Sequence, residues 1–158
     1  MLRTTVELYQ SVFNHVRLVL SPRDETLLEE LGIKLRVRDD AVIAPDADLG
    51  MGHSLSAGAT DLNLRFVFVA LADMPFVRAT TLESLRDLSK TLADDVILVP
   101  CHQGKRGNPV GFGQNWLPMM TKLLGDEGAR QIVRAGSPRL TEVNDEGVLQ
   151  DLDQLPPN

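Results

Sequence analysis

Apolar residues recur at helical spacing in two stretches of the chain. The first stripe begins at the amino terminus and comprises Leu2, Val6, Tyr9 and Phe13. The second follows Thr80, which stands three residues before Glu83 as in a capping box, and comprises Leu82, Leu85, Leu88 and Leu92. Both patterns predict amphipathic helices that bury one face against a core.

Short apolar runs outside these stretches predict strands. They are Val16–Leu20, Phe66–Ala72 and Val96–Val99. The run from Phe66 is apolar on both faces, which is typical of parallel strands covered on both sides, so we predict a central strand there. Further helices are expected near 24–31, 54–59, 116–124 and 126–133, and extended segments at 33–37 and 42–44. The alternation of strands and helices favours an open α/β sheet with mostly parallel strands.

The composition is that of one ordinary domain spanning residues 1–158. The chain is 43% hydrophobic and 24% charged, and its single cysteine cannot form a disulfide within the chain. Sixteen basic and twenty-two acidic residues give a net charge of −6, so neither nucleic acid nor a membrane surface is an expected partner. The longest apolar run is too short to span a bilayer, and we expect a cytoplasmic protein.

Three carboxylates are candidates for metal chemistry. Asp73 directly follows the predicted central strand, and the carboxyl ends of strands in open α/β sheets border the ligand crevice. Its position alone equally fits a residue that caps a turn. Asp151 and Asp153 would lie on the same side of an extended segment, where they suit a hard cation such as Mg²⁺ or form a solvated acidic tail.

Two glycine-rich segments are candidates for phosphate binding. In the segment 104–109, glycines allow close approach of a ligand, and Lys105 and Arg106 suit a phosphate; the alternative is a basic hairpin tip. In the segment 50–58, glycines precede a predicted helix start. Free backbone N–H groups there suit an anion, and the alternative is a plain turn capped by Ser54.

Taken together, five motifs resemble MobA-like nucleotidyltransferases, and most closely the molybdenum cofactor cytidylyltransferase branch. In chain order they are Gly50–Gly58, Leu71–Pro75, Lys105–Val110, Gly125–Arg130 and Asp151–Asp153. The resemblance implies a Rossmann-like, three-layer fold of the glycosyltransferase A type. The family's first strand and Gly-rich triphosphate loop have no counterpart in residues 1–13. We therefore expect an N-terminally truncated domain without measurable transfer, and activity in a chain extended upstream.

The resemblance also implies roles for individual residues. Asp73 would bind Mg²⁺ together with Asp151 or Asp153, and Asp73 and Arg106 would be catalytic. The nucleotide and acceptor would be bound by Gly50, Gly52, Ser54, Lys105, Gly107, Asn108 and Pro109. The implied reaction transfers CMP from CTP, or GMP from GTP, to a phosphorylated pterin of the molybdopterin type and releases pyrophosphate. Asn108 stands where the family has His, so proton transfer by that residue is lost.

Two other functions remain open at this point, and the sequence also predicts an oligomeric state. The chain could be a relative that binds nucleotide or a partner without turnover. It could also be a signalling receiver domain, with Asp73 as the phosphorylated residue and Asp39-Asp40 as the acidic pair. The sheet edge left by the absent first strand predicts self-association into a homo-oligomer.

Overall fold

Strands and helices alternate along the computed structural model, which describes residues 1–151. The strands are β1 (Arg17–Leu20), β2 (Asp40–Ile43), β3 (Phe66–Val69), β4 (Ile97–His102), β5 (Lys105–Arg106), β6 (Val110–Gly113) and β7 (Arg139–Glu142). The α-helices are α1 (Leu2–Val12), α2 (Leu27–Glu30), α3 (Met51–Ala59), α4 (Ala79–Ser89), α5 (Leu117–Met120) and α6 (Arg130–Ala135). Short 3-10 turns lie at Pro22–Asp24, Ala47–Leu49, Gln114–Trp116 and Glu146–Leu149.

The strands form two sheets. β1 and β2 pair in parallel, with Arg17 opposite Asp40 and Leu20 opposite Ile43. The second sheet has the order β3-β6-β4-β5, and β7 pairs in parallel with the other edge of β4. Because β6 is antiparallel to both β3 and β4, the strands β3, β4 and β7 all run in one direction. The predicted parallel arrangement holds for these three strands, while β5 and β6 are reversed.

The prediction that Phe66–Ala72 is a central strand is wrong for the described residues. β3 ends at Val69 and pairs only with β6, so it is an edge strand of its sheet within residues 1–151. Its apolar pattern has a different cause, because helices cover both of its faces. Val67 and Val69 pack into the core cluster that contains α5 and α6, whereas Phe66 and Phe68 pack on the side of α4.

Helices on both faces of the sheet give the predicted three layers. One layer contains α3, α5 and α6, whose Ala59, Met120 and Ile132 pack against Phe112 of β6. The other contains α1 and α4, and Tyr9 of α1 lies in one cluster with Leu82 of α4. The α/β, Rossmann-like fold class is therefore confirmed. None of the helices in residues 1–151 is long and apolar enough to cross a membrane.

The sequence patterns that predicted α1 and α4 are only partly reproduced in the structure. The predicted stripe on α1 is buried at Val6 and Tyr9, and Val12, which the stripe did not include, is buried as well. Arg86 of α4 donates a hydrogen bond from Nη1 to the carbonyl oxygen of Val12 at 2.8 Å, which ties the end of α1 to α4. The predicted capping box does not form, because α4 already begins at Ala79 and has no side-chain cap.

Candidate active site

Asp73 lies just beyond the carboxyl end of β3, where the sequence predicts a ligand site. The backbone is anchored on both sides of it: the hydroxyl of Thr5 donates a hydrogen bond to the carbonyl oxygen of Ala72 at 3.0 Å, and Met74 is buried. The carboxylate is half-buried and forms no hydrogen bond or ion pair within the described part of the chain. A fixed backbone thus presents a carboxylate that is available to a ligand.

The segment that leads to Asp151 packs against the turn after Asp73. Asp145 is buried and accepts hydrogen bonds from the backbone N–H of Arg78 (2.9 Å), the hydroxyl of Thr81 (2.7 Å) and the N–H of Gly147 (3.0 Å). A Cβ atom at Gly147 would lie 2.1 Å from the carbonyl oxygen of Phe76, so only glycine fits there. The segment 145–149 is therefore fixed to the turn 74–78.

The same segment contacts the Gly-Asn-Pro turn. The N–H of Gly107 donates to the carbonyl oxygen of Pro100 at 2.8 Å, and the N–H of Asn108 donates to that of Val148 at 2.9 Å. The bond between Asn108 and Pro109 is cis. The segment 145–149 therefore contacts both the turn after Asp73 and the turn 107–109, two of the segments that the sequence singled out.

A methyl group at Gly107 should separate two of these segments. The Cβ atom of Gly107→Ala would lie 2.4 Å from the carbonyl oxygen of Val148, so we expect a loss of about 1–3 kcal/mol in the free energy of unfolding. Thermal denaturation measures this. Gly104→Asn is the matched control in the same hairpin, because nothing lies within 4 Å of its Cβ position and asparagine tolerates positive φ. Equal melting temperatures for parent and Gly107→Ala would contradict the contact.

The glycines of the segment 50–58 serve close packing. The N–H of Gly50 donates to the carbonyl oxygen of Ala47 at 3.1 Å, and that of Gly52 donates to Gly125 at 2.7 Å. Cβ atoms at Gly50 and Gly52 would lie 2.4–2.6 Å from atoms of residues 124–126. The expectation that these two N–H groups are free for an anion is therefore wrong, because both are already bonded within the protein.

Ser54 does not cap a turn, as one interpretation of the sequence expects, but lies inside α3. It is the fourth residue of α3, which begins at Met51, so it caps no turn. Its side chain lines the same large cavity as Ala70, Leu71 and Ala72, the residues just before Asp73. Ser54 therefore lines this cavity, whereas Asp73 follows directly after the residues 66–72 that line it.

Lys105 and Arg106 form the exposed strand β5 of a hairpin. Gln103 and Gly104 both have positive φ, as the two central residues of a tight hairpin turn require. Both cations are exposed, and neither has a hydrogen bond or ion pair within residues 1–151. The hairpin-tip alternative describes their local structure correctly, and their charges remain available to a phosphate.

The carboxylate of Asp73 is a ligand of the kind that a hard divalent cation prefers. Mg²⁺ is typically bound by one or two carboxylates together with substrate phosphates, so a site for it needs few protein ligands. Residues 1–151 contain no group of three or more His, Cys, Asp or Glu side chains that could hold a metal ion. Asp151 is half-buried and has an interaction partner in the structure. Asp153 lies outside the described residues.

Sequence reasoning missed Asp145, which positions the site. It stands two residues before Gly147 in Asn-Asp-Glu-Gly, a signal that indicates a turn. Its other two partners, Arg78 and Thr81, lie 64–67 residues earlier in the chain. No local pattern identifies such partners.

The three-layer fold with a carboxylate beyond the end of β3 fits an α/β protein of the nucleotidyltransferase class. The family model of the MobA-like NTP transferase domain matches residues 1–143, and the chain belongs to this family. The receiver-domain alternative is therefore wrong, and the expected family membership is confirmed.

Known relatives agree with this assignment. The chain is 31% identical over 117 residues to the purine catabolism protein PucB of Bacillus subtilis (strain 168), an alignment that covers 70% of this chain and 55% of PucB. The chain thus spans about half the length of this curated relative.

Solved structures share the fold at lower identity. A nucleotidyl transferase from Methanothermobacter thermautotroptrophicus superposes with a TM-score of 0.74 at 18% identity, covering 96% of this chain and 74% of that one. The manganese complex of Rv0371c from Mycobacterium tuberculosis gives a TM-score of 0.70 at 20% identity, covering 90% and 74%. 4-Diphosphocytidyl-2C-methyl-D-erythritol synthase from Anaerococcus prevotii gives 0.71 at 14%, covering 96% and 79%.

Proposed function

We propose that this domain binds a nucleoside triphosphate with a divalent metal ion and transfers its nucleotidyl group to a phosphorylated pterin of the molybdenum cofactor. Asp73 carries the proposal, because its carboxylate lies at the carboxyl end of β3 without a hydrogen-bonding partner in the described residues. The turn that follows Asp73 and the turn 107–109 both contact the segment 145–149, which leads to Asp151. CTP is the preferred donor and GTP the alternative, on the resemblance of the motifs.

Transfer of this kind needs alignment and charge neutralisation more than a nucleophilic side chain. A phosphate oxygen of the acceptor attacks the α-phosphorus, the bond from that phosphorus to the bridging oxygen breaks, and pyrophosphate leaves. A bound Mg²⁺ or Mn²⁺ ion supplies charge neutralisation at the phosphates. Asp73 would hold it with Asp151, or with Asp153 beyond the described residues.

In this proposal the remaining site residues bind and orient the phosphates and the acceptor. Lys105 and Arg106 present unpaired cations on the hairpin that leads into the Gly107–Pro109 turn. Asn108 is half-buried and offers amide donors and acceptors. Gly50 and Gly52 pack closely against residues 124–126, and Ser54 lines the cavity that Ala70, Leu71 and Ala72 also line.

Two relatives bear on the metal and on the acceptor. The manganese in the Rv0371c structure supports a divalent ion for a protein of this fold. The name of PucB connects that relative with purine catabolism, so a purine-related acceptor is the competing assignment.

Titration with nucleotides tests the proposal directly. We expect CTP to bind more tightly than GTP, ATP or UTP in calorimetry, and chelation of Mg²⁺ and Mn²⁺ to remove most of the affinity. Pyrophosphate release with the pterin acceptor then separates an enzyme from a relative that binds without turnover. Absence of metal-dependent binding of any of the four nucleotides would contradict the proposal.

Arg106→Ala should weaken phosphate binding in a salt-dependent manner. A charge-assisted hydrogen bond to a charged group contributes about 1.5–3 kcal/mol, so we expect about a tenfold loss of nucleotide affinity at low salt and a smaller loss at high salt. Calorimetry at two salt concentrations measures both. Arg38→Ala is the control, because Arg38 is also exposed and unpaired in the described residues. Equal effects of the two substitutions would reduce Arg106 to a solvated surface charge.

A further inference from the structure

Asp145 is a buried charge that the proposed reaction does not use. Only 2% of its side chain is exposed, and it accepts three hydrogen bonds: from the N–H of Arg78, from the hydroxyl of Thr81 and from the N–H of Gly147. A buried carboxylate is costly unless such donors compensate for the lost hydration. Two of the partners lie in the turn after Asp73 and in α4, so Asp145 joins its own segment to both.

This contact lies close in sequence to two of the carboxylates that we propose for the metal. Arg78 is five residues after Asp73, and Asp145 is six residues before Asp151. The hydrogen bond from the N–H of Arg78 to Oδ2 of Asp145 is 2.9 Å long. It therefore fixes the end of the turn that follows Asp73 to the start of the segment that leads to Asp151.

Close packing extends the contact beyond Asp145. A Cβ atom at Gly147 would overlap the carbonyl oxygen of Phe76, so no side chain fits between the two segments there. One residue further, Val148 is fully buried in the same apolar cluster as Met74, the residue that follows Asp73. Because densely packed groups transmit strain, a displacement of one segment is expected to move the other.

All three hydrogen-bonding partners of Asp145 are donors, and this arrangement requires a carboxylate. The N–H of Arg78 and the hydroxyl of Thr81 both donate to Oδ2, at 2.9 and 2.7 Å, and the N–H of Gly147 donates to Oδ1 at 3.0 Å. An asparagine could accept at one of these positions only, because its amide nitrogen is itself a donor. Asp145→Asn would therefore place two donors against each other in a buried site.

We propose that Asp145 is a positioning residue for the metal site: through Arg78 and Thr81 it sets the separation between Asp73 and Asp151. The inference rests on the proposed function, in which these two carboxylates hold a divalent ion. Mg²⁺ demands near-ideal octahedral geometry with oxygen ligands at about 2.0–2.1 Å, so a small displacement of one carboxylate weakens its binding. Asp145 acts on the ion only through this separation, because it is buried and its hydrogen bonds are made within the chain.

Calorimetric titration with CTP, in the presence and in the absence of Mg²⁺, tests the proposal. Thr81→Val removes one donor to Asp145 and keeps the shape of the side chain, whereas Asp145→Asn disturbs the whole contact. Residues that orient metal ligands typically change affinity by about 10- to 100-fold, so we expect affinity with Mg²⁺ to fall at least about tenfold for Asp145→Asn and about threefold for Thr81→Val. Affinity without Mg²⁺ should stay at the parent value.

Ser89→Ala is the matched control for a loss of stability. Ser89 also has a buried hydroxyl on α4, which donates to the carbonyl oxygen of Arg86 at 2.7 Å. It lies eight residues after Thr81, or about 12 Å along the helix. We expect the melting temperature to fall for Ser89→Ala as it does for Thr81→Val. The affinity of Ser89→Ala for CTP with Mg²⁺ should equal that of the parent at a temperature where both are folded.

A double variant, Asp73→Asn with Asp145→Asn, gives a readout that a loss of stability alone would not produce. If Asp145 acts only by placing Asp73 relative to Asp151, its substitution has nothing left to disturb once the charge of Asp73 is gone. We therefore expect the double variant to lose no more Mg²⁺-dependent affinity than Asp73→Asn alone.

Any of three results would overturn the proposal. One is parent-like affinity with Mg²⁺ for Thr81→Val, which also decides the matter if Asp145→Asn does not fold. Another is an equal loss of affinity without Mg²⁺ or in Ser89→Ala. The third is a double variant in which the two losses add. Absence of Mg²⁺-dependent binding by the parent would instead contradict the proposed function, and this inference with it, so the two failures are distinguishable.

Discussion

Asp73→Asn should remove most of the metal-dependent nucleotide affinity while leaving the fold unchanged. The substitution keeps the shape of the side chain and removes its charge. A metal contact to phosphate contributes several kcal/mol, so we expect affinity for CTP in the presence of Mg²⁺ to fall by about 30- to 100-fold. Asp73 forms no hydrogen bond or ion pair within the described residues, and the melting temperature should therefore stay at the parent value. Calorimetry with and without Mg²⁺ measures the effect.

Asp95→Asn is the matched control for this experiment. Asp95 is exposed and lies just before β4, at the opposite end of the sheet from Asp73, because β3 and β4 run in the same direction. We expect parent-like affinity for Asp95→Asn. Parent-like affinity for Asp73→Asn in the same assay would mean that the metal and the phosphates are bound elsewhere.

Elements that depend on local patterns were predictable from the sequence. The apolar stripe from Leu2 predicts α1 to within one residue of its end at Val12, because one buried helix face imposes its own period. The short runs at 16–20 and 96–99 likewise mark β1 and the first part of β4. Pro100 does not end β4, because its missing N–H is tolerated where the ladder requires only its carbonyl, which accepts from Gly107.

Partnerships between distant residues were not predictable. Gly50 and Gly52 look alike whether their backbone approaches an anion or another chain segment. The answer depends on residues 124–126, more than 70 positions away. Likewise, the apolar sequence of β3 reports that both of its faces are covered but carries no information about its neighbours in the sheet. The place of Asp73 shortly beyond a buried strand was predictable from the local pattern, whereas its role as a ligand stays a prediction.

Asp39 was given a role only in the rejected receiver alternative, yet the structure makes it the centre of a hydrogen-bonding network. Its side chain is fully buried and accepts hydrogen bonds from the N–H of Val16 (2.9 Å), from Arg36 and from Nε2 of Gln10 (2.8 Å). These contacts join the end of α1, the start of β1 and the loop before β2. The Arg36 guanidinium in particular holds the pKa of Asp39 well below its usual range.

Asp39→Ala should therefore destabilise the fold strongly at neutral pH. Hydrogen bonds to a charged group contribute about 1.5–3 kcal/mol, which for a chain of this size corresponds to a fall of roughly 5–10 °C in melting temperature. Asp48→Ala, which breaks an exposed ion pair with Arg23, should change the melting temperature little. Thermal denaturation of the three proteins at pH 7 measures the difference.

The pH dependence gives a second, independent signature of the same network. Because the folded-state pKa of Asp39 lies below its unfolded value of about 4, the stabilisation is complete above that pH and is lost as the pH falls through the folded-state pKa. The gap in stability between the parent and Asp39→Ala should therefore narrow progressively below about pH 4. Asp40, whose pKa is also lowered, mainly by its hydrogen bonds from Arg17, is present in both proteins and cancels in the comparison. A gap that stays constant from pH 7 to pH 2 would show that Asp39 stabilises the fold through packing and not through its charge.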